Sequence, residues 1–394
     1  MNSDLVRADF PITDELIYLD SAAISLTPRQ VVDAVSEYDL RYRANIGRGV
    51  HRLSVVATQR YLDAHDAIAS FIGGGVGTTV MTKNTTEAIG IVASGLPWKK
   101  GDRVVTTALE HHSNLLPWLR LREIGVIVDI IMPDESGWVN PAAFEAAVTD
   151  ETRLVAITHA SNVLGTLLPI SEIAGICHDH GAELLIDGAQ SVPHIPMDVQ
   201  EIGCDYLCFS GHKMLGPTGT GILWMREMIP EPLLIGGGSI DTSSLDGYTL
   251  AGDYRRYEGG TPPISGMIGL GRAVKYLESI GMKEVHRHDE QLTRRLLDGL
   301  SGIDGVVVPG LDNPGDRIGV ISFMVEGIHP HDVAHILDEA SGIMVRSGDH
   351  CCKPLMGHLN LPEGTVRAST YLYTTDEEID LLLRTLEEIG RMVR

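Results

Sequence analysis

The sequence predicts an α/β protein in which helices cover both faces of a mostly parallel sheet, joined to a smaller α+β unit. Three observations lead there. Short β-branched and aliphatic runs alternate with amphipathic stretches from about residue 76. Those runs are almost continuously apolar, as in strands buried on both faces. Chemistry-bearing polar residues follow the runs directly, at the strand ends where open α/β sheets collect ligands.

The elements follow in order. Strands are expected at 77–82, 103–109, 125–132, 153–160, 182–188, 205–211 and 220–225, seven in all, with helices at 84–96 and around 113–123. A second unit begins with a strand at 320–326 and a helix at 329–341. Thr375-x-x-Glu378 is a capping-box pattern, and Ile379, Leu382, Leu383, Leu386, Ile389 and Val393 follow it at helical spacing. The boundary is expected near 275, inside a long helical region at 265–303. Residues 16–275 then form a large domain, and 276–394 together with 1–15 form a small one.

Composition narrows the function. The 394 residues carry a net charge of −22, a field that repels phosphate backbones and anionic lipids, so neither nucleic acid nor a membrane surface is an expected partner. The longest uncharged run, 154–171, includes Thr158, His159, Asn162, Gly165 and Pro169 and does not read as a membrane span. The acidic N-terminus does not read as a secretory signal, and five cysteines are too few for a disulfide scaffold. A reducing cytoplasm is expected.

Two motifs carry the chemistry. ELLIDGAQ ends a buried strand on Asp187, with Gln190 three residues later. A lone Asp there is most often a cap or loop carboxylate, but a buried charge needs a partner. FSGHKMLGPTGTG puts Ser210, His212 and Lys213 after the next strand. A desolvated lysine has the lowered proton affinity that Schiff-base chemistry requires. Each motif is weak alone; on successive strands they support one another.

Here the chain resembles the class V aminotransferase family of pyridoxal-phosphate (PLP) enzymes, with their fold-type I architecture. The resemblance implies that Lys213 holds PLP covalently, that Asp187 pairs with the pyridine nitrogen, and that Gln190 meets the ring oxygen. Thr85 and Thr86 open a helix in NTTE and, with Ser210 and His212, match the phosphate contacts. Asn84 replaces the family's Gly there. His111, in LEHHSN, matches the histidine that stacks on the ring and moves protons. The His-His doublet lacks CxxC or HExxH company, so no metal is expected. Asn162 matches a residue near the ring oxygen and the substrate carboxylate. Thr261 matches one that reaches the phosphate of a neighbouring subunit, which implies a homodimer with shared sites.

The segment VRSGDHCCKPLM resembles the active-site loop of group II cysteine desulfurases, and puts the nucleophile at Cys351. Arg367 then matches the arginine that binds the substrate carboxylate. YLDSAA and ANIGRGVHRLS, with His51, match the family's N-terminal signatures. The implied reaction converts L-cysteine to L-alanine with a persulfide on Cys351. The sulfur then passes to a small acceptor or scaffold protein for iron–sulfur cluster assembly. L-selenocysteine is the alternative substrate, and another class V aminotransferase or lyase the alternative enzyme. A non-catalytic sulfur-relay scaffold is the alternative of a different class. Departures from the pattern are Asp349, whose charge is expected to raise the thiol's proton affinity, Cys352 in a slot for a small residue, Gly47 and Thr374. The adjacent cysteines are expected to diverge because an extended chain alternates its side chains.

Overall fold

The structure, a computed structural model, describes residues 3–393; Met1, Asn2 and Arg394, included in the expected small domain, and the side chains of Ser3, Asp4, Met392 and Val393 lie outside the described part. Seven strands form the large sheet in the spatial order Thr78–Thr82, Gly221–Met225, Tyr206–Ser210, Glu183–Asp187, Thr152–Thr158, Arg103–Thr107, Ile127–Ile131. Only Gly221–Met225 runs against the others. The expected strands are all present, each trimmed at one end or both, while Thr152–Thr158 also starts one residue early.

Alternation of side chains explains why these strands are apolar throughout. Leu184 and Ile186 enter the core on one face, with Val155, Ile157, Leu207 and Phe209. Leu185 enters the core on the other, with Leu154, Ala156, Tyr206 and Cys208. Each fully buried aliphatic side chain contributes about 1.5–3 kcal/mol, so both faces strongly favour apolar residues. The polar residues are displaced to the strand ends, and the site lies there.

The smaller unit has a four-stranded antiparallel sheet ordered Val306–Val307, Val320–Val325, Thr365–Ser369, Arg346–Gly348. Helices Met282–Ser301, Pro330–Ser341 and Asp376–Val393 pack against it around Leu296, Phe323, Leu337, Val366 and Leu386. The capping box closes as Glu378 Oε2 accepts the Thr375 amide (2.9 Å) and Thr375 Oγ1 the Glu378 amide (3.3 Å). The long helical region is two helices, Ile264–Ile280 and Met282–Ser301, broken at Gly281 with φ +89°. An L side chain would be strained there, so the break falls on a glycine.

Several contacts fix this unit beside the carboxyl edge of the large sheet. Asp289 is buried and accepts from the Gly319 amide (2.7 Å) and the Thr370 hydroxyl (2.8 Å), with His194 Nδ1 at 3.1 Å. Burial pushes its carboxyl up, but His194 and these donors outweigh that and hold it below its ordinary value. Near the N-terminus, Arg7 reaches the Tyr373 carbonyl and Glu378, and Phe10 packs on Tyr373. Ile17–Tyr18 then pairs in parallel with Ile343–Met344.

Candidate active site

The carboxyl ends of the parallel strands and the edge of the small sheet enclose a pocket of about 210 Å³. Thr78–Thr82 leads into helix Thr85–Gly95, capped by Asn84, whose Oδ1 accepts the Glu87 amide at 3.0 Å. Asn84 is not left-handed; its φ of −176° is extended backbone, so the change from Gly introduces no strain. The close approach falls instead on Gly221, where an added Cβ would lie 2.5 Å from Asn84 Cα. Thr85 donates its amide to Ser210 Oγ (2.9 Å), and the two hydroxyls meet at 2.7 Å. Thr86 Oγ1 meets Ser113 Oγ at 2.7 Å. Ser210 ends its strand, and one 3-10 turn, Gly211–Lys213, carries His212 and Lys213 into the same pocket. Burial, then the charge of Lys213, push His212 down to about 4. Hydroxyls, a helix N-terminus and a nearby lysine form a setting for an anion.

Asp187 is the last residue of its strand and 5% exposed, and its Oδ1 accepts the Ala189 amide at 2.9 Å. Burial raises its carboxyl, while that amide and Lys213 oppose the rise. Gln190 is buried and gives one amide proton to the Ala22 carbonyl (2.9 Å), leaving the other. Burial lowers Lys213 to about 8, with Arg367 and Arg346 adding to the effect and Asp187 opposing it. A partly buried amine of that kind suits covalent linkage to an aldehyde. His111 precedes helix His112–Leu121 and its Nδ1 accepts the Ser113 amide at 3.1 Å. Burial, then Lys213, push it down to about 3, so its ring is neutral at pH 7.

The small unit supplies the rest. Arg367, on strand Thr365–Ser369, is buried; it donates to the Asn162 carbonyl (2.9 Å) and to Asp20 Oδ1 (3.1 Å). Burial lowers it only to about 10, so it stays cationic. Asn162 Nδ2 donates to the His350 carbonyl at 2.8 Å, and the His112 amide to the Cys351 carbonyl at 2.8 Å. These bonds dock the cysteine loop on the turn that carries His111.

The loop is not extended as the sequence suggested. His350 and Cys351 are both left-handed, with φ +49° and +56°. This turn, rather than strand alternation, separates the two cysteines. Cys351 is partly exposed and lines the pocket. Cys352 is fully buried, its sulfur 3.2 Å from the Glu110 carbonyl and 3.3 Å from that of Leu109. Burial pushes its thiol well above the ordinary range. Asp349 accepts the Cys351 amide at 2.9 Å and lies 3.8 Å from Lys353 Nζ.

The sequence pattern described as Aminotransferase class-V matches residues 17–382. The chain belongs to the class V aminotransferase family. A family protein named "Probable cysteine desulfurase", from Methanothermobacter thermautotrophicus, is 47% identical over 398 residues, covering 100% of this chain and 99% of the relative. The apo structure of a cysteine desulfurase from Thermococcus onnurineus NA1 matches with a TM-score of 0.96 at 44% identity, covering 99% of this chain and 98% of that one. The cysteine desulfurase CsdA of Escherichia coli matches at 0.92 and 30% identity over 100% of both chains.

Class V aminotransferases that are cysteine desulfurases depend on PLP, and the residues present here fit that group. The donor set has hydroxyls for a phosphate, a buried carboxylate for a protonated ring nitrogen, and an amine for an aldehyde. All the site residues expected from the sequence line this pocket except Thr261. Thr261 lies in a separate cleft with Arg48, Gly237, Gly238 and Glu258. His51 is also elsewhere; it caps helix Arg52–Phe71. Among the described residues no His, Cys, Asp and Glu side chains are grouped to hold a metal ion, and no helix is long and apolar enough to cross a membrane.

Arg346 and His350 also line the pocket, and Asp20 reaches it through Arg367. In the sequence Arg346 and His350 stand within VRSGDHCCKPLM and Asp20 within YLDSAA, with no local signal of their place in the pocket. Glu110 was missed too. It is fully buried, bonded to Thr107 Oγ1 (2.7 Å) and Asn114 Nδ2 (2.6 Å), and raised to about 8 by burial. It braces the turn before His111.

The lowered proton affinity of Lys213 has a measurable consequence. Below its folded value the amine is protonated and unreactive; above it the free amine dominates. Uptake of PLP by apo-protein, followed by visible absorbance, is expected to quicken as pH rises through about 8 and then level off. A rate that keeps rising toward the ordinary lysine range, near 10.4, would show that burial does not tune this amine.

Proposed function

We propose that the protein is a PLP-dependent cysteine desulfurase that converts L-cysteine to L-alanine and carries the released sulfur as a persulfide on Cys351. The observation that carries this reading is that a partly exposed cysteine shares one small pocket with Lys213, Asp187 and Arg367. Thr85, Thr86, Ser210 and His212 would hold the cofactor's phosphate, Asp187 its ring nitrogen, Gln190 its ring oxygen, and Lys213 its aldehyde carbon. Bound there, PLP supplies an electron sink for the substrate's α-carbon.

The chain's own residues do the rest. Arg367, kept charged and braced by Asp20, takes the substrate carboxylate, with Asn162 beside it. Lys213 removes the Cα proton. Cys351 Sγ attacks the substrate sulfur: the S–S bond forms as the Cβ–S bond breaks, and the electron pair stays with carbon. His111 carries a proton on its ring nitrogen to balance that charge. One cysteine and one enzyme thiol become one alanine and one persulfide. The short loop before Pro354 supports the group II subtype.

The sulfur passes to a small acceptor or scaffold protein that serves iron–sulfur cluster assembly. The working unit is a homodimer with shared sites, in which Thr261 completes the phosphate contacts of the neighbouring subunit. Its separation from the pocket of its own chain supports this, as do exposed Val50, Val55, Leu234 and Leu245. The division into domains 16–275 and 276–394 with 1–15 belongs to the same proposal; the helix break at Gly281, a few residues past 275, supports a boundary in that region. Five unpaired cysteines suit a reducing cytoplasm.

The test is to supply L-cysteine with and without a reductant and measure alanine and sulfide. Alanine without a keto-acid acceptor, with sulfide released only on reduction, supports the reading; a requirement for a keto acid would make the protein an aminotransferase. Asp187→Asn is expected to retain weakened PLP binding but lower alanine production by about 10²–10³-fold, the range for losing one preorganised electrostatic partner. Near-normal turnover in that variant would remove Asp187 from the ring nitrogen.

A further inference from the structure

The neighbours of His111 determine which of its nitrogens carries the proton. A backbone amide can only donate, and the Ser113 amide points at His111 Nδ1 from 3.1 Å. Nδ1 is therefore the bare nitrogen, and the proton of the neutral ring sits on Nε2. The Ser113 hydroxyl lies 3.0 Å from the same Nδ1 and must donate to it as well. Its oxygen then accepts, and Thr86 Oγ1, 2.7 Å away, supplies the proton. A chain of two hydroxyls thus runs from the first turn of helix Thr85–Gly95 to the imidazole.

We propose that Ser113 is a positioning residue that couples occupancy of the anion-binding turn at Thr86 to the proton affinity of His111. The proposal rests on the assignment of Thr86 to the phosphate end of the site. A phosphate there presents charged acceptor oxygens, which are stronger acceptors than a neutral hydroxyl, so Thr86 turns its one hydroxyl proton to the anion. The Thr86 oxygen becomes an acceptor, and the Ser113 hydroxyl swings from Nδ1 to Thr86. Nδ1 keeps the Ser113 amide but loses its second donor, and Ser113 Oγ faces it with a lone pair. A hydrogen bond to the unprotonated nitrogen favours the neutral ring. Its loss raises the ring's proton affinity. No covalent bond forms or breaks; two hydroxyl rotors reverse. His111 thereby becomes a better proton carrier when the site is loaded than when it is empty. The anion's own charge also raises the ring's proton affinity, with or without Ser113; the protein charges that act on the ring are His112 beside it, Lys213 on the 3-10 turn, and Arg346 and Arg367 on the small sheet. None is altered by a change at Ser113.

The test uses apo-protein with ring-¹⁵N-labelled histidine and inorganic phosphate as the probe. The His111 signals are assigned by their loss in His111→Gln, and phosphate uptake is measured separately by calorimetry. In the wild type, phosphate is expected to shift the Nδ1 resonance and raise the pH at which it titrates. Ser113→Ala is expected to bind phosphate and keep only the smaller response due to the anion's charge, and Ser113→Thr, which keeps the hydroxyl, to restore the rest. A full response in Ser113→Ala would overturn the relay, as would uptake by the wild type with no change at Nδ1. Failure of wild type and Ser113→Ala alike to take up phosphate would instead overturn the phosphate assignment, and the relay with it.

Discussion

Lys213→Ala abolishes the visible absorption that marks covalently held PLP and lowers alanine production by at least about 10⁴-fold, the upper range for losing a positioned general base. Two functions end together in that variant. Only a primary amine can bond the cofactor's aldehyde, and the same amine is the one placed to take the substrate's Cα proton. The loss is not structural. Lys213 is only partly buried, and its stem is in none of the apolar cores that hold the sheet. Removing it relieves a cation already held below its ordinary proton affinity by desolvation. Far-ultraviolet circular dichroism of the variant is therefore expected to match the wild type. Lys213→Arg serves as the control, since it keeps a charge but cannot form the bond. An unchanged visible band in either variant would sink the assignment.

The second large effect separates the adjacent cysteines. Cys351→Ala is expected to lose all persulfide formation while still binding PLP, and Cys352→Ala to keep turnover. The reason is the environment of each sulfur. Only the thiolate attacks, and burial pushes the Cys352 thiol far above neutral pH while its sulfur faces two backbone carbonyls. Cys351 opens on the pocket through a turn in which each of two left-handed residues costs about 1–2 kcal/mol. Alanine bears the same cost, so Cys351→Ala tests chemistry and not folding. Cys352→Ala leaves a small void and costs about 1–2 kcal/mol, tolerable for a chain of this size. Persulfide at the wild-type rate in Cys351→Ala would reverse the assignment.

Much of this site is legible in the sequence because strand ends concentrate rare local combinations. Asp187 with Gln190, and Ser210 with His212 and Lys213, each follow an apolar run, and parallel pairing brings those ends together. What was not legible depends on partners far apart in the chain. Nothing near Asp20 announces Arg367, and nothing near His112 announces the Cys351 carbonyl, because the small sheet must dock before either pair exists. The Thr86–Ser113 contact is hidden for a related reason: two helices of the large unit, Thr85–Gly95 and His112–Leu121, must pack together before it exists. Backbone conformation misled in both directions. Asn84 stands in the family's glycine slot and yet is extended, whereas His350 and Cys351, at positions with no glycine, are left-handed. Local propensity is silent there because tertiary contacts to Asn162 and His112 hold the turn.

The central claim is that sulfur leaves the substrate onto Cys351. Its most direct test is to mix PLP-loaded protein with one equivalent of L-cysteine, stop after a single turnover without reductant, and locate the added sulfur by fragment-ion mass spectrometry. Fragmentation is needed because Cys351 and Cys352 are adjacent and share a peptide. The account predicts one alanine per added sulfur, with that sulfur on Cys351 in both the wild type and Cys352→Ala. Sulfur on Cys352, or alanine formed with no sulfur bound to the protein, would contradict it.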